Sequence, residues 1–210
     1  TLNNSVKELL FTFLGKFPNL ENIKTEIVPM NTLDYFNFPT LDLPLKCKSL
    51  EILLGGATTL FTKENYHNFL HQLGNASKLR RLGLYLTAIG VPKEDSLVFT
   101  NAHYEIIGKL SSLEEIKLST LGDKNVYLPN DRWMELKSHI DLSQLFKVVD
   151  SNFSNLNVLV INAESIVMSE SAFQIHSFPP NLKKLSFEGF WKGLGNLSNL
   201  MNVLNSLILE

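Results

Sequence analysis

Leu113-Glu114-Glu115-Ile116-Lys117-Leu118 is the stretch on which the reading of this chain turns. Its apolar residues occupy positions one, four and six of a six-residue frame, with charges between them. The same frame stands at Leu79, Leu82 and Leu84, at Leu156, Leu159 and Ile161, and at Leu182, Leu185 and Phe187. Leu204, Leu207 and Leu209 repeat it near the end of the sequence. Two weaker copies precede these, Leu20 and Ile23 with Thr25 in sixth place, and Leu50 and Leu53 with Gly55 there. Alternation over positions four to seven predicts a short strand in every copy, because successive strand residues point to opposite faces.

The segments between frames carry helical spacing. Ser5 to Leu14 places Val6, Leu9, Leu10, Phe13 and Leu14 on one face, with Ser5 and Glu8 as a capping box and Gly15 as the stop. Thr62 to Leu73 puts Tyr66, Phe69, Leu70 and Leu73 in a stripe that ends at Gly74-Asn75. Asn101 is expected to cap a helix with Ile106, Ile107 and Leu110 inward, and Asp141 or Ser143 to start one with Leu145, Phe146 and Val149 inward. Phe178-Pro179-Pro180-Asn181 forbids a regular helix before the sixth frame, and 193–203 offers at most a short one before the seventh. The leading leucines lie 30, 29, 34, 43, 26 and 22 residues apart. A strand of fixed phase joined by connectors of variable length is the pattern of a solenoid, whose turns bury their apolar side only by stacking into a parallel sheet.

The L-x-x-L-x-L frames resemble leucine-rich repeats, and the helical connectors resemble those of the ribonuclease-inhibitor-like branch. That resemblance implies an α/β horseshoe, with a parallel sheet on the concave face and helices or irregular turns on the convex one. It spans 1–210 as one domain of about seven irregular repeats, expected to be a piece of a longer chain because it opens at Thr1 without a methionine. The asparagine that usually follows the frame is missing, with Thr87, Leu121 and Glu164 there or nearby. Such degenerate repeats are similar to those of F-box proteins, which implies substrate recognition for a ubiquitin ligase and a Skp1-like adaptor held by a region outside these residues.

Composition limits the function classes. A formal net charge of −2 offers no dedicated surface for nucleic acid. No run nears the roughly 20 apolar residues that cross a bilayer. Cys47 is the single cysteine, which excludes an intramolecular disulfide and points to a reducing compartment, cytoplasm or nucleus. Four Asn-x-Ser triplets, at Asn3, Asn75, Asn152 and Asn196, are read as chance in a chain rich in both residues.

No catalytic set assembles. His67 and His71 have helical i, i+4 spacing but lack a third ligand, and Cys47 between Lys46 and Lys48 lacks a partner histidine and reads as a structural thiol. No metal site, no cofactor and no enzymatic activity are expected. With positions one, four and six inward, three, five and seven face the concave side. They are Asn22, Lys24, Glu26, Ile52, Leu54, Gly56, Arg81, Gly83, Tyr85, Glu115, Lys117 and Ser119, then Val158, Val160, Asn162, Lys184, Ser186, Glu188 and, last, Ser206, Ile208 and Glu210. Among them Arg81, Tyr85, Glu115, Lys117, Val158, Val160 and Lys184 are the candidate contacts for a protein ligand. Ile52, Leu54, Tyr85, Val158, Val160 and Ile208 form an apolar set on that side, fitting either an interface or a covering segment. Gly122 to Ile140, the long insertion, adds Tyr127 and Trp133 as anchors, or as residues that hold the insertion down. Phe190 and Trp191 leave the same two readings open. A scaffold that binds nothing, and the repeat region of an effector with its catalytic domain elsewhere, are the competing roles.

Overall fold

The computed structural model describes residues 16–27, 43, 46–57, 71–74, 76–89, 101–120, 139–167 and 179–192. The helix expected over 5–14, most of that over 62–73, most of the 122–140 insertion and the last frame lie outside them. So do Tyr127, Trp133, His67 and Ile208.

Seven strands form one sheet, and every pairing is parallel. They are β1 (Asn22–Ile27), β2 (Ser49–Ala57), β3 (Arg81–Ile89), β4 (Glu115–Ser119), β5 (His139–Asp141), β6 (Val158–Val167) and β7 (Lys184–Lys192). Among the described residues two helices are complete, α1 (Asn101–Gly108) and α2 (Leu142–Asn152), and residues 71–73 are helical before Gly74. Asn101 is the first residue of α1 rather than a residue outside it.

One register runs across the sheet. Ile23, Leu50, Leu82, Ile116, Leu159 and Leu185 pair in sequence, as do Thr25, Ile52, Leu84, Leu118, Ile161 and Phe187. These are frame positions four and six, and Leu50, Ile52, Leu84, Ile116, Leu159 and Ile161 are fully or almost fully buried. The same cluster takes in Tyr104, Ile106, Ile107 and Leu110 of the α1 segment, and Leu145, Phe146 and Val149 of α2. Phe146 sets its ring edge-on to Phe187, 6.0 Å between centroids, which ties α2 to β7. One side of the sheet is thereby the core.

Five of the seven strands, β1, β3, β4, β6 and β7, start in the same way. Leu20, Leu79, Leu113, Leu156 and Leu182 all donate their backbone N–H to the carbonyl three residues earlier, closing a tight turn. The next residue's carbonyl then accepts two N–H groups from the following strand: Glu21 from Lys48 and Ser49, Lys48 from Arg80 and Arg81, Arg80 from Glu114 and Glu115. Glu114 and Asn157 accept in the same way from Asn157 and Val158, and from Lys183 and Lys184. This row gives the strand-initiating amides of β2, β3, β4, β6 and β7 their acceptors.

The second frame requires a correction. Pairing aligns Leu50 with Leu82 and Ile52 with Leu84, so the leading residue of this copy is Cys47 and not Leu50. Cys47 is 4% exposed within the core, and burial pushes its thiol above the usual range. Ile52, expected on the open side, is fully buried. Leu53, expected inward, alternates with it and is half-buried on the other face. Leu54 shares the parity of Ile52, and its side chain lies outside the described residues. The two spacings around this copy become 27 and 32 residues, from Leu20 to Cys47 and on to Leu79.

A second departure is β5. The end of the insertion forms a three-residue strand that pairs with Ser165–Val167, beyond the point where β4 stops at Ser119. Tyr104, buried in the core, accepts the backbone N–H of Asp141 at 3.1 Å and fixes this return to α1.

Candidate functional site

Opposite the core, the register lays out the remaining side chains as rows. Position three reads Asn22, Ser49, Arg81, Glu115, Val158, Lys184 across six strands. Position five reads Lys24, Glu51, Gly83, Lys117, Val160, Ser186, and position seven reads Glu26, Leu53, Tyr85, Ser119, Asn162, Glu188. All seven sequence-predicted residues of the described strands fall on this face. Arg81 and Lys184 are exposed, and Tyr85, Glu115, Lys117, Val158 and Val160 half-buried. Glu51 and Leu53 belong to it as well, and were missed only because the second frame was set three residues late.

Small residues shape the β1–β3 part. Arg81 donates to the Asn22 side-chain oxygen at 2.7 Å from two strands away, passing the short Ser49 between them. Tyr85 leans back over Gly83. A Cβ on that glycine would sit 3.0 Å from both the Tyr85 ring and Glu51 Cγ. Lys24, Thr25, Glu51, Leu53 and Tyr85 line an open groove of about 370 Å³. That is the low end of the range for ligand sites, and its open form fits a side chain of a larger partner better than an engulfed small molecule.

Ion pairs set the electrostatics. Lys24 and Glu51 are joined at 3.1 Å, and Lys117 and Glu115 at 2.5 Å. Each bond to its carboxylate raises the pKa of that lysine, so both stay charged. Burial, followed by the nearby Glu51 carboxylate, raises that of Tyr85, whose hydroxyl therefore remains a proton donor. Along the rim at position two, Lys48 pairs with Glu21 at 3.1 Å and Arg80 with Glu114. Exposed pairs of this kind contribute little to stability and mainly fix where charge is presented.

The β4–β7 part is different in kind. Val158 and Val160 stand side by side on β6, between the Glu115–Lys117 pair and Lys184. Phe190 and Trp191 continue β7 opposite Ser165 and Ile166, and their side chains are not described. Among the described residues no group of three or more His, Cys, Asp and Glu could hold a metal ion, and His71 is exposed. No described helix is long and apolar enough to cross a membrane. Comparison with protein families, with curated proteins and with solved structures finds no match.

Proposed function

We propose that this chain is a solenoid of the leucine-rich-repeat type that binds a protein partner on the open face of its sheet. The repeated strand start supports the solenoid. Five leading leucines close the same turn, and five carbonyls accept the same pair of amides. The single observation that carries binding is the set Arg81, Tyr85, Glu115, Lys117, Val158, Val160 and Lys184. These residues share one face of four adjacent strands, β3, β4, β6 and β7, with the leucine core on the other side. Arginine and tyrosine are the residue types that most often anchor interfaces, and adjacent valines on a sheet face supply apolar area to bury.

Partner capture tests this reading. The immobilised chain is compared with an Arg81→Glu/Tyr85→Ala double variant of matched melting temperature. The reading expects at least one specific protein to be captured by the first and lost from the second. Identical captures by both would remove it and leave a scaffold. The resemblance to the repeats of F-box proteins extends the proposal to a ubiquitin-ligase substrate as that partner. Co-recovery of a Skp1-like adaptor and a cullin supports the extension, and capture without them ends it.

A further inference from the structure

We infer that the partner segment is extended and alternates acidic, apolar and acidic residues, lying across the strands from β3 to β7. This rests on the face-binding reading above and adds the chemistry of what is bound. It comes from an imbalance of charge that the composition does not predict. The whole chain is acidic by two charges. On rows two, three and five of the described strands, every carboxylate is taken: Glu21 by Lys48, Glu51 by Lys24, Glu114 by Arg80 and Glu115 by Lys117. Three cations on those rows have no ion pair among the described residues. Arg81 bonds only the neutral Asn22 amide, and Lys183 and Lys184 are exposed at the start of β7.

On those three rows the surplus is therefore positive, against Glu26 and Glu188 on row seven, and it is split between two places, with Val158 and Val160 between them. Arg81 and Lys184 stand in the same row, three strand steps apart. At roughly 4.8 Å per step that is about 14 Å, or about four residues of an extended chain. Alternate side chains of such a chain face the same way, so acidic residues at i and i+4 reach Arg81 and the Lys183–Lys184 pair, while the residue at i+2 turns toward the valines. A basic segment would meet cations at both ends, and a wholly apolar one would leave both cations desolvated without a partner. Charge sets orientation and association rate here, and the valines supply the buried area.

The experiment is selection from a displayed library of random decapeptides on the immobilised chain, followed by titration of the synthetic winners. The expected winners carry acid-x-apolar-x-acid. They lose about tenfold or more in affinity on Arg81→Glu and on Lys184→Glu, weaken as salt is raised, and are untouched by Lys109→Glu beyond α1. A winner with both acids replaced by lysine binds the Arg81→Glu/Lys184→Glu variant better than it binds the parent, a reversal that no folding defect produces. Winners that are basic or uncharged yet fail on Val160→Asp overturn the acidic segment and leave face binding intact. Winners indifferent to Arg81→Glu, Lys184→Glu and Val160→Asp alike overturn both. An absence of enrichment overturns the linear segment, while partner capture still reports separately on the face.

Discussion

Strands β2 and β3 lie side by side and carry what reads as the same motif, yet only one of them means what it says. Leu79, Leu82 and Leu84 occupy positions one, four and six and are all buried. Leu50 and Leu53 imitate that spacing, but the ladder puts Leu50 opposite Leu82, at position four, and Leu53 opposite Tyr85 on the open face. The residues that play the part of Leu79 and Leu84 are Cys47 and Ile52. Phase is set by the neighbouring strand and by which face is dry, since a shift of odd length turns every side chain over. A cysteine serves at the head of the frame because a buried thiol behaves as a small apolar group.

Truncating adjacent residues of β2 separates the two phases. Ile52→Ala removes a fully buried side chain and is expected to cost about 2–5 kcal/mol, as Leu84→Ala should one strand away. Leu53→Ala removes a half-buried one from the open face, for roughly 1 kcal/mol or less. Urea unfolding of the three variants decides the phase. Equal losses for Ile52 and Leu53 would mean that β2 is not alternating as placed.

Cys47 provides the next test. Cys47→Ser puts a stronger hydrogen-bonding group at the head of the frame, for about 1–3 kcal/mol, less whatever its hydroxyl recovers from the Ser49 carbonyl. Cys47→Ala should cost less than Leu79→Ala, since it deletes less volume. Alkaline pH probes the same burial without mutation. The folded thiol titrates above its ordinary 9.0 and the buried Tyr104 phenol above its ordinary 10.0, in each case because burial disfavours the anion. Well below pH 9 both states of the chain hold both protons, and the contribution of these two groups is fully present. Above it the unfolded chain ionises first, so stability falls as pH rises toward the folded values. Melting temperatures from pH 7.5 to 10.5 should show this fall. Cys47→Ala should remove the part that begins near pH 9, and Tyr104→Phe the part that begins near pH 10.

How much of this could be read in advance follows from the same residues. The strands at Ile23, Leu82, Ile116, Leu159 and Leu185 were legible because leucine or isoleucine recurs in one frame whenever one face is dry. The α1 and α2 stripes were legible for the same reason at helical period. The second frame misled because 50–54 offers an almost unbroken apolar run, in which alternation cannot be phased from composition. The short strand β5 was not legible at all. Three residues, His139–Asp141, gain their strand geometry from Ser165–Val167 and from the Tyr104 hydroxyl, none of which is local. On the open face, alternation alone located Arg81, Tyr85, Glu115, Lys117, Val158, Val160 and Lys184. The leaning of Tyr85 over Gly83 and the pairing of the four carboxylates on rows two, three and five needed coordinates, because each depends on which long side chain crosses which short one.

The smallest effect expected on stability is the most informative about the groove. Gly83→Ala is inexpensive in backbone terms, since alanine suits a strand interior better than glycine by about 0.5–1 kcal/mol. Against that, the new methyl group meets the Tyr85 ring and Glu51 Cγ at 3.0 Å, and both are side chains that can move aside. The two terms oppose each other, and the melting temperature should hardly change. The position of Tyr85 should change a great deal, because the ring loses its resting place over the glycine, and with it the wall it gives to the groove beside Leu53 and Thr25. Ring-proton chemical shifts of Tyr85 report this directly. A shifted tyrosine in an otherwise undisturbed protein would establish that β3 differs from β2 at row five by an empty place that its own aromatic residue fills. Unchanged tyrosine signals would mean that the ring stands clear of Gly83, and that the groove is shaped by Lys24 and Glu51 alone.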